Sequence, residues 1–133
     1  MKGYVDDIEK ATLANEDFRR VLYTGKNLQL VLMTLPPGCD IGAEVHEDRD
    51  QFFRIEEGEG EIHIDGIANE VADDFAVIVP AGARHNVINT GDAPLRLYTL
   101  YAPPEHRDKV VHATKEDAER DHDNDHWDGE TSE

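Results

Sequence analysis

Apolar residues in this chain come in short runs, most of them alternating with polar ones. The runs lie at 18–24, 28–35, 43–46, 51–57, 61–65, 75–79, 84–89 and 95–102, and are rich in Val, Ile, Leu, Phe, Tyr and Thr. A period of two puts alternate side chains on opposite faces of an extended strand. Clusters with turn chemistry separate the runs: Gly25-Lys26-Asn27, Pro36-Pro37-Gly38, Glu56 to Gly60, Asp65-Gly66, Ala72-Asp73-Asp74, Pro80-Ala81-Gly82, Asn89 to Pro94 and Pro103-Pro104. Short strands punctuated in this way predict an all-β sandwich or barrel, with 18–24 and 28–35 forming a hairpin. No long amphipathic helical pattern interleaves them, which argues against βαβ units. Two short helices are expected outside the strands. One lies over 7–14; the other, over Lys115–Arg120, is announced by the Thr114/Asp117 capping pair. From Asp121 onward the chain is Asp, His, Asn, Gly and Glu with Trp127 as its single large apolar residue, and this composition predicts a mobile segment. The organisation read from the pattern is an N-terminal arm (1–17), a β-barrel (18–104) and an acidic C-terminal extension (105–133).

One stretch breaks the greasy face expected of a core strand. In Gly38 to Gly58, Glu44 and His46 stand two apart and share a face, with Val45 on the other. Gln51 opens the next run and shares its face with Phe53. Three polar groups able to bind a metal therefore converge beside an aromatic ring. Farther on, the Pro80-Ala81-Gly82 turn leads into a strand that puts His85, Val87 and Asn89 on one face.

Composition narrows the function. A chain of 133 residues fits one domain with a core of its own. The formal charge of −17 opposes nucleic-acid binding and docking on anionic lipid. Residues 116–133 hold nine acids and one base, net −8, which leaves −9 on the other 115. An acidic body of this kind with few lysines fits adaptation to high salt, where screening relieves like-charge crowding; it also fits a merely solubilising surface. A single cysteine, Cys39, excludes an internal disulfide and suits a reducing compartment. With neither a signal-like N-terminus nor an apolar run long enough to span a membrane, a cytoplasmic location is expected.

The two polar segments together resemble the motifs of small single-domain cupins. The first family motif, G-x5-H-x-H-x(3,4)-E-x6-G, aligns with Gly38, Glu44, His46, Gln51 and Gly58. The second, G-x5-P-x-G-x2-H-x3-N, aligns with Asp74, Pro80, Gly82, His85 and Asn89, and every spacing is kept. The resemblance implies a double-stranded β-helix, or jelly-roll, barrel holding a divalent cation on Glu44, His46, Gln51 and His85. Glu44 replaces the usual first histidine, Gln51 the usual glutamate and Asp74 a glycine. The first two exchanges move the carboxylate while keeping the ligand set at one negative charge, as expected if a cation is still bound. A mixed N/O set suits Mn²⁺, Fe²⁺, Ni²⁺ or Zn²⁺. The competing reading is a barrel whose site has decayed to hydrogen-bonded polar residues.

An open cation of this kind acts on small oxygen-rich or carbonyl compounds, and the wider family includes isomerases, dioxygenases and lyases. Few basic residues are available to hold a phosphosugar. Glu44 is the candidate general base, and Phe53 and Val87 are candidate walls of a substrate pocket. The alternative is a non-catalytic cupin that senses a small molecule or a metal. The resemblance also implies a homodimer. Other residues carry weaker signals. Cys39 reads as inert, His63 and Arg84 as outward-facing, His122 and His126 as part of a solvated tail. His106 and His112 follow the prolines, where sequence does not place them.

Overall fold

The computed structural model describes residues 1–133. The chain forms ten strands and two short helices, and the strands make two antiparallel sheets. Helix α1 (Ile8–Ala14) starts where the Asp7 side chain accepts from the Lys10 amide. Strands β1 (Arg19–Thr24) and β2 (Gln29–Leu35) form the expected hairpin. Then come β3 (Glu44–Val45), β4 (Asp50–Glu57), β5 (Gly60–Ile64), β6 (Ile67–Val71), β7 (Ala76–Val79), β8 (Arg84–Asn89) and β9 (Leu95–Ala102). After the prolines lie β10 (Val111–His112) and α2 (Lys115–Arg120). The larger sheet has the order β10-β1-β2-β9-β4-β7 and the smaller β3-β8-β5-β6. Neighbours in each sheet are mostly far apart in sequence, the signature of a jelly roll.

The core lies between the sheets and follows the alternation. Val31, Met33, Leu35, Phe53, Ile55, Leu95 and Leu97 come inward from the larger sheet, Ile62 and Val87 from the smaller, and all are buried. Each such side chain contributes about 1.5–3 kcal/mol by leaving water. β4 and β9 show the pattern most cleanly, with burial alternating along their length. Gly58 closes the first motif for two reasons. Its φ of 113° is left-handed, and a Cβ there would stand 2.9 Å from Pro94 O.

Three expectations change. β6 has no counterpart among the apolar runs. Four of its five residues are exposed, so it carries no hydrophobic period and is held by its ladder with β5. β10 is likewise too short to signal itself. The third change concerns the segment from Asp121, which lies along the barrel where composition predicts a mobile tail. β10 pairs with Arg19 and Arg20 of β1, the Trp127 amide donates to Glu105 O at 3.0 Å, and the Ser132 amide donates to Thr24 O at 2.8 Å. Buried polar partners replace the missing apolar ones: His106, His112 and Asp125 are all inside. The α2 capping box forms as the Thr114/Asp117 pair predicts.

Candidate metal centre

Strand pairing assembles the four expected ligands at one end of the barrel. On the smaller sheet Glu44 of β3 stands opposite His85 of β8. On the larger sheet Gln51 of β4 stands opposite Tyr101 of β9. His46 follows β3, and its carbonyl accepts from the Gly82 amide at 2.8 Å, tying it to the turn that precedes His85. Gln51 reaches across the gap between the sheets, with Oε1 3.0 Å from His85 Nε2. The ligand-capable atoms of Glu44, His46 and His85 all lie within 4.8 Å of one another. Gln51 and His85 are buried; Glu44 and His46 are intermediate.

The arrangement holds one close ion pair, Glu44 with His46, and one polar conflict, at His85. His46 Nε2 is buried and makes no hydrogen bond, although Glu44 Oε2 is 3.0 Å away. The two atoms are close but not aligned for donation. His85 lies between two acceptors, with Ala83 O 3.2 Å from Nδ1 and Gln51 Oε1 on the other side. Burial holds the His85 pKa below its ordinary value, and a neutral imidazole has one N–H. One of its two contacts therefore sets lone pair against lone pair. Turning the Gln51 amide over would relieve it only by redirecting the hydroxyl of Thr99. That hydroxyl donates to Phe52 O at 2.8 Å and accepts from Gln51 Nε2 at 3.0 Å. Glu44, His46, Gln51 and His85 would together hold a divalent cation, which would relieve the His85 contact. The residues fit a divalent ion.

Surrounding charges prepare the same atoms. Burial opposes ionisation of Glu44, but His46 beside it, with Arg19 and His106, outweighs burial and holds its pKa below the usual value. For His46, burial acts downward and is outweighed by Glu44 and Glu105, so the net shift is upward. Glu105 Oε2 faces His46 Nδ1 across 3.6 Å and is itself paired with Arg49. A carboxylate behind a ligating imidazole turns the other nitrogen toward the ion. Behind Gln51 runs a second buried chain. The Tyr101 ring packs edge-on against His46, and its hydroxyl lies 3.3 Å from His106 Nε2; His106 Nδ1 lies 2.8 Å from Asp125 Oδ2. Burial pushes Tyr101 well above the usual phenol range. Burial also holds His106 below its ordinary value, so it is a neutral link with Nδ1–H donating to Asp125.

A cavity of about 90 Å³ opens beside Glu44, walled by Arg19 from the barrel and by Glu105, His106, Glu119, His122 and His126 from the extension. Phe53 and Val87, expected as pocket walls, do not line it. They are core side chains at 1% exposure, with the Phe53 ring 6.2 Å from that of His85. They share the inward face of their strands with the ligands but sit deeper between the sheets. Of the four ligand candidates, Glu44 alone lines the cavity. His122 and His126 are exposed, as expected of them, yet their rings are 5.5 Å apart at the cavity wall. His63 is partly exposed against Glu61, and Arg84 points outward. Cys39 is half-buried, and burial raises its pKa, as suits an unreactive thiol. Arg19, Tyr101, Glu105 and Asp125 were not singled out by sequence. Arg19 left one trace: it shares the alternating face of Val21, an ionisable group on a core face.

Comparison with known proteins bears on the fold and the family. Residues 31–101 match the family described as Cupin domain. The chain is 49% identical over 123 residues to the uncharacterized protein YrkC of Bacillus subtilis, a match covering 88% of this chain and 66% of that protein. It thus spans about two thirds of that relative's length. The crystal structure of BH2720 from Bacillus halodurans superposes with a TM-score of 0.88 at 46% identity, covering 90% of this chain and 95% of that one. A predicted oxalate decarboxylase from Thermotoga maritima gives a TM-score of 0.57 at 26% identity, covering 59% and 69% of the two chains. Two motif segments joined across two sheets, and a sequence match over the strands that carry them, make this chain a member of the cupin family.

Proposed function

We propose that this cupin is a metal-dependent enzyme acting on a small oxygen-rich or carbonyl compound, with a divalent ion held by Glu44, His46, Gln51 and His85. The observation that carries the reading is the convergence of the Glu44, His46 and His85 ligand atoms within 4.8 Å of one another, with Gln51 Oε1 3.0 Å from His85 Nε2. The bound ion would supply Lewis acidity toward a substrate oxygen, or electron transfer if redox-active.

The protein groups then divide the work. Glu44, ionised and at the cavity wall, is placed to take a proton from a C–H or O–H of the bound compound. Tyr101 stays a neutral phenol; by donating to His106 it leaves its lone pairs toward the Gln51 side. Gln51 is held by Thr99 so that its carbonyl faces His85. Apolar side chains beneath, Phe53 and Val87 among them, exclude water from the inner side of the site. The name of the Thermotoga relative, a decarboxylase of the small acid oxalate, supports the substrate class. Isomerase, dioxygenase and lyase chemistries all proceed from such a centre.

Metal analysis of chelator-free protein tests the reading. We expect near-stoichiometric divalent metal in the wild type and large losses in Glu44→Ala and His85→Ala. Unchanged metal content in both variants sinks the metal centre. Turnover on a panel of carbonyl and hydroxy compounds, including an oxygen-electrode assay, then separates an enzyme from a binding module, which retains ligand without converting it.

A further inference from the structure

Arg19 is a buried cation that is not among the proposed metal ligands. It sits on β1 with its side chain 7% exposed, and it lines the cavity that opens at Glu44. A buried guanidinium needs acceptors for five N–H donors. Here only Nη1 has partners in the protein, and both are long: His112 Nδ1 at 3.5 Å and Asp125 Oδ2 at 3.7 Å. Nε is buried with no partner. Asp125 does not close the deficit, because the hydrogen bond its Oδ2 accepts is from His106 at 2.8 Å, while Oδ1 is buried without one. Fork and carboxylate thus lie near each other without forming the bidentate pair their shapes allow.

We propose that Arg19 is the carboxylate-binding residue of this site, and that the ligand is a small α-hydroxy or α-oxo monocarboxylate. This rests on the metal-centre reading: the carboxylate would lie toward Arg19, with the adjacent oxygen toward Glu44 and its partner ligands. Cavity size and charge select the class. A volume of about 90 Å³ takes a short acid and not a sugar phosphate. Lys115, the other fixed cation in the wall, is already engaged by Asp40, and Glu105 by Arg49. Glu119 stays uncompensated in the wall. Glu44, Glu119 and Asp125 face the one fork of Arg19, so a univalent anion meets less repulsion here than a dianionic phosphate. Part of the cavity wall comes from the C-terminal extension, so this segment shapes the site that the barrel carries.

Titration calorimetry on metal-loaded protein tests this with matched probes: glycolate against ethylene glycol, and pyruvate against hydroxyacetone. The wild type should bind each carboxylate at least about tenfold more tightly than its neutral analogue, the usual scale of a charge-assisted pair. Arg19→Gln should erase that preference while keeping its metal content, and Arg19→Lys should keep part of it. Equal binding of acid and neutral probe by the wild type overturns the proposal. So does a preference that survives in Arg19→Gln, which would leave Arg19 a structural partner of Asp125. Should Arg19→Gln fail to fold, the wild-type comparison and Arg19→Lys still decide. Metal content is read separately in every sample. A metal-loaded wild type with no acid preference, or a preference that survives in Arg19→Gln, therefore counts against Arg19 alone, whereas metal retained in Glu44→Ala and His85→Ala counts against the centre.

Discussion

Gln51 shows how one side chain takes its meaning from its neighbours. An amide cannot supply the charge of the glutamate usual at its motif position, and Glu44 supplies it from the opposite sheet. What makes Gln51 a ligand and not a spacer is the Thr99 hydroxyl, which accepts from its nitrogen and leaves the carbonyl toward His85. Asp74 is a milder exchange. It occupies a left-handed turn at φ 71°, a conformation Asp tolerates better than most residues, and pairs with Arg54 at 3.0 Å. Glu105 plays the part sequence could not show, standing behind His46 Nδ1. Replacing it by Gln should lower metal affinity about 10- to 100-fold while leaving the ligands themselves intact. Competition with a chromophoric chelator reads this directly, and an unchanged affinity removes Glu105 from the account.

The C-terminal extension is the element that departs furthest from its composition. It adds β10 to the edge of the larger sheet and brings Asp125 against Arg19 and His106. Asp125→Ala leaves Arg19 buried with less counter-charge, a change that typically costs about 3–5 kcal/mol. Urea unfolding should show a lowered midpoint, and a loss below about 1 kcal/mol would mean the extension is only loosely docked. His106 gives the clamp a pH dependence. Burial is the main cause that depresses its folded pKa below the ordinary 6.5, against the pull of Asp125. Its neutral form therefore contributes stability that is complete above about pH 6.5 and is lost as pH falls through the depressed value. His85, also depressed, acts in the same direction in metal-free protein, while His46, raised, acts oppositely. Melting curves of metal-free His106→Asn should accordingly lose part of the acid-side slope between pH 6.5 and 5, and an unchanged slope would assign it elsewhere.

For the whole molecule the dominant quantity is charge. At −17 over 133 residues the folded state repels itself, and the repulsion is spread over body and extension alike. Raising NaCl from 0.1 M to 1 M shortens the screening length from about 10 Å to about 3 Å. The melting temperature should rise across that range, more than in a variant with several surface acids amidated. A flat or falling midpoint would assign the acidity to solubility alone. The cavity belongs to this scale as well, since its walls come from β1, β3 and the extension, which meet only in the closed barrel.

Strand positions, the hairpin, both helices and the ligand spacing were legible because each is local. A period of two, a Pro-Gly turn or a Thr–Asp capping pair acts within a few residues. The Glu44, His46, Gln51 and His85 set was legible as two pieces on separate strands. Register between β3 and β8, and the gap between the two sheets, decided that the pieces meet. Strand β6 escaped notice because pairing alone, not burial, holds it. The roles of Arg19, Glu105, Tyr101 and Asp125 were decided only by tertiary structure. Each is a charged or polar group whose position depends on contacts 5 to 106 residues away in sequence. Composition assigned the extension to solvent because it counts apolar residues. Folding placed it on the barrel through backbone pairing and buried ionic contacts, which no count of hydrophobic residues records.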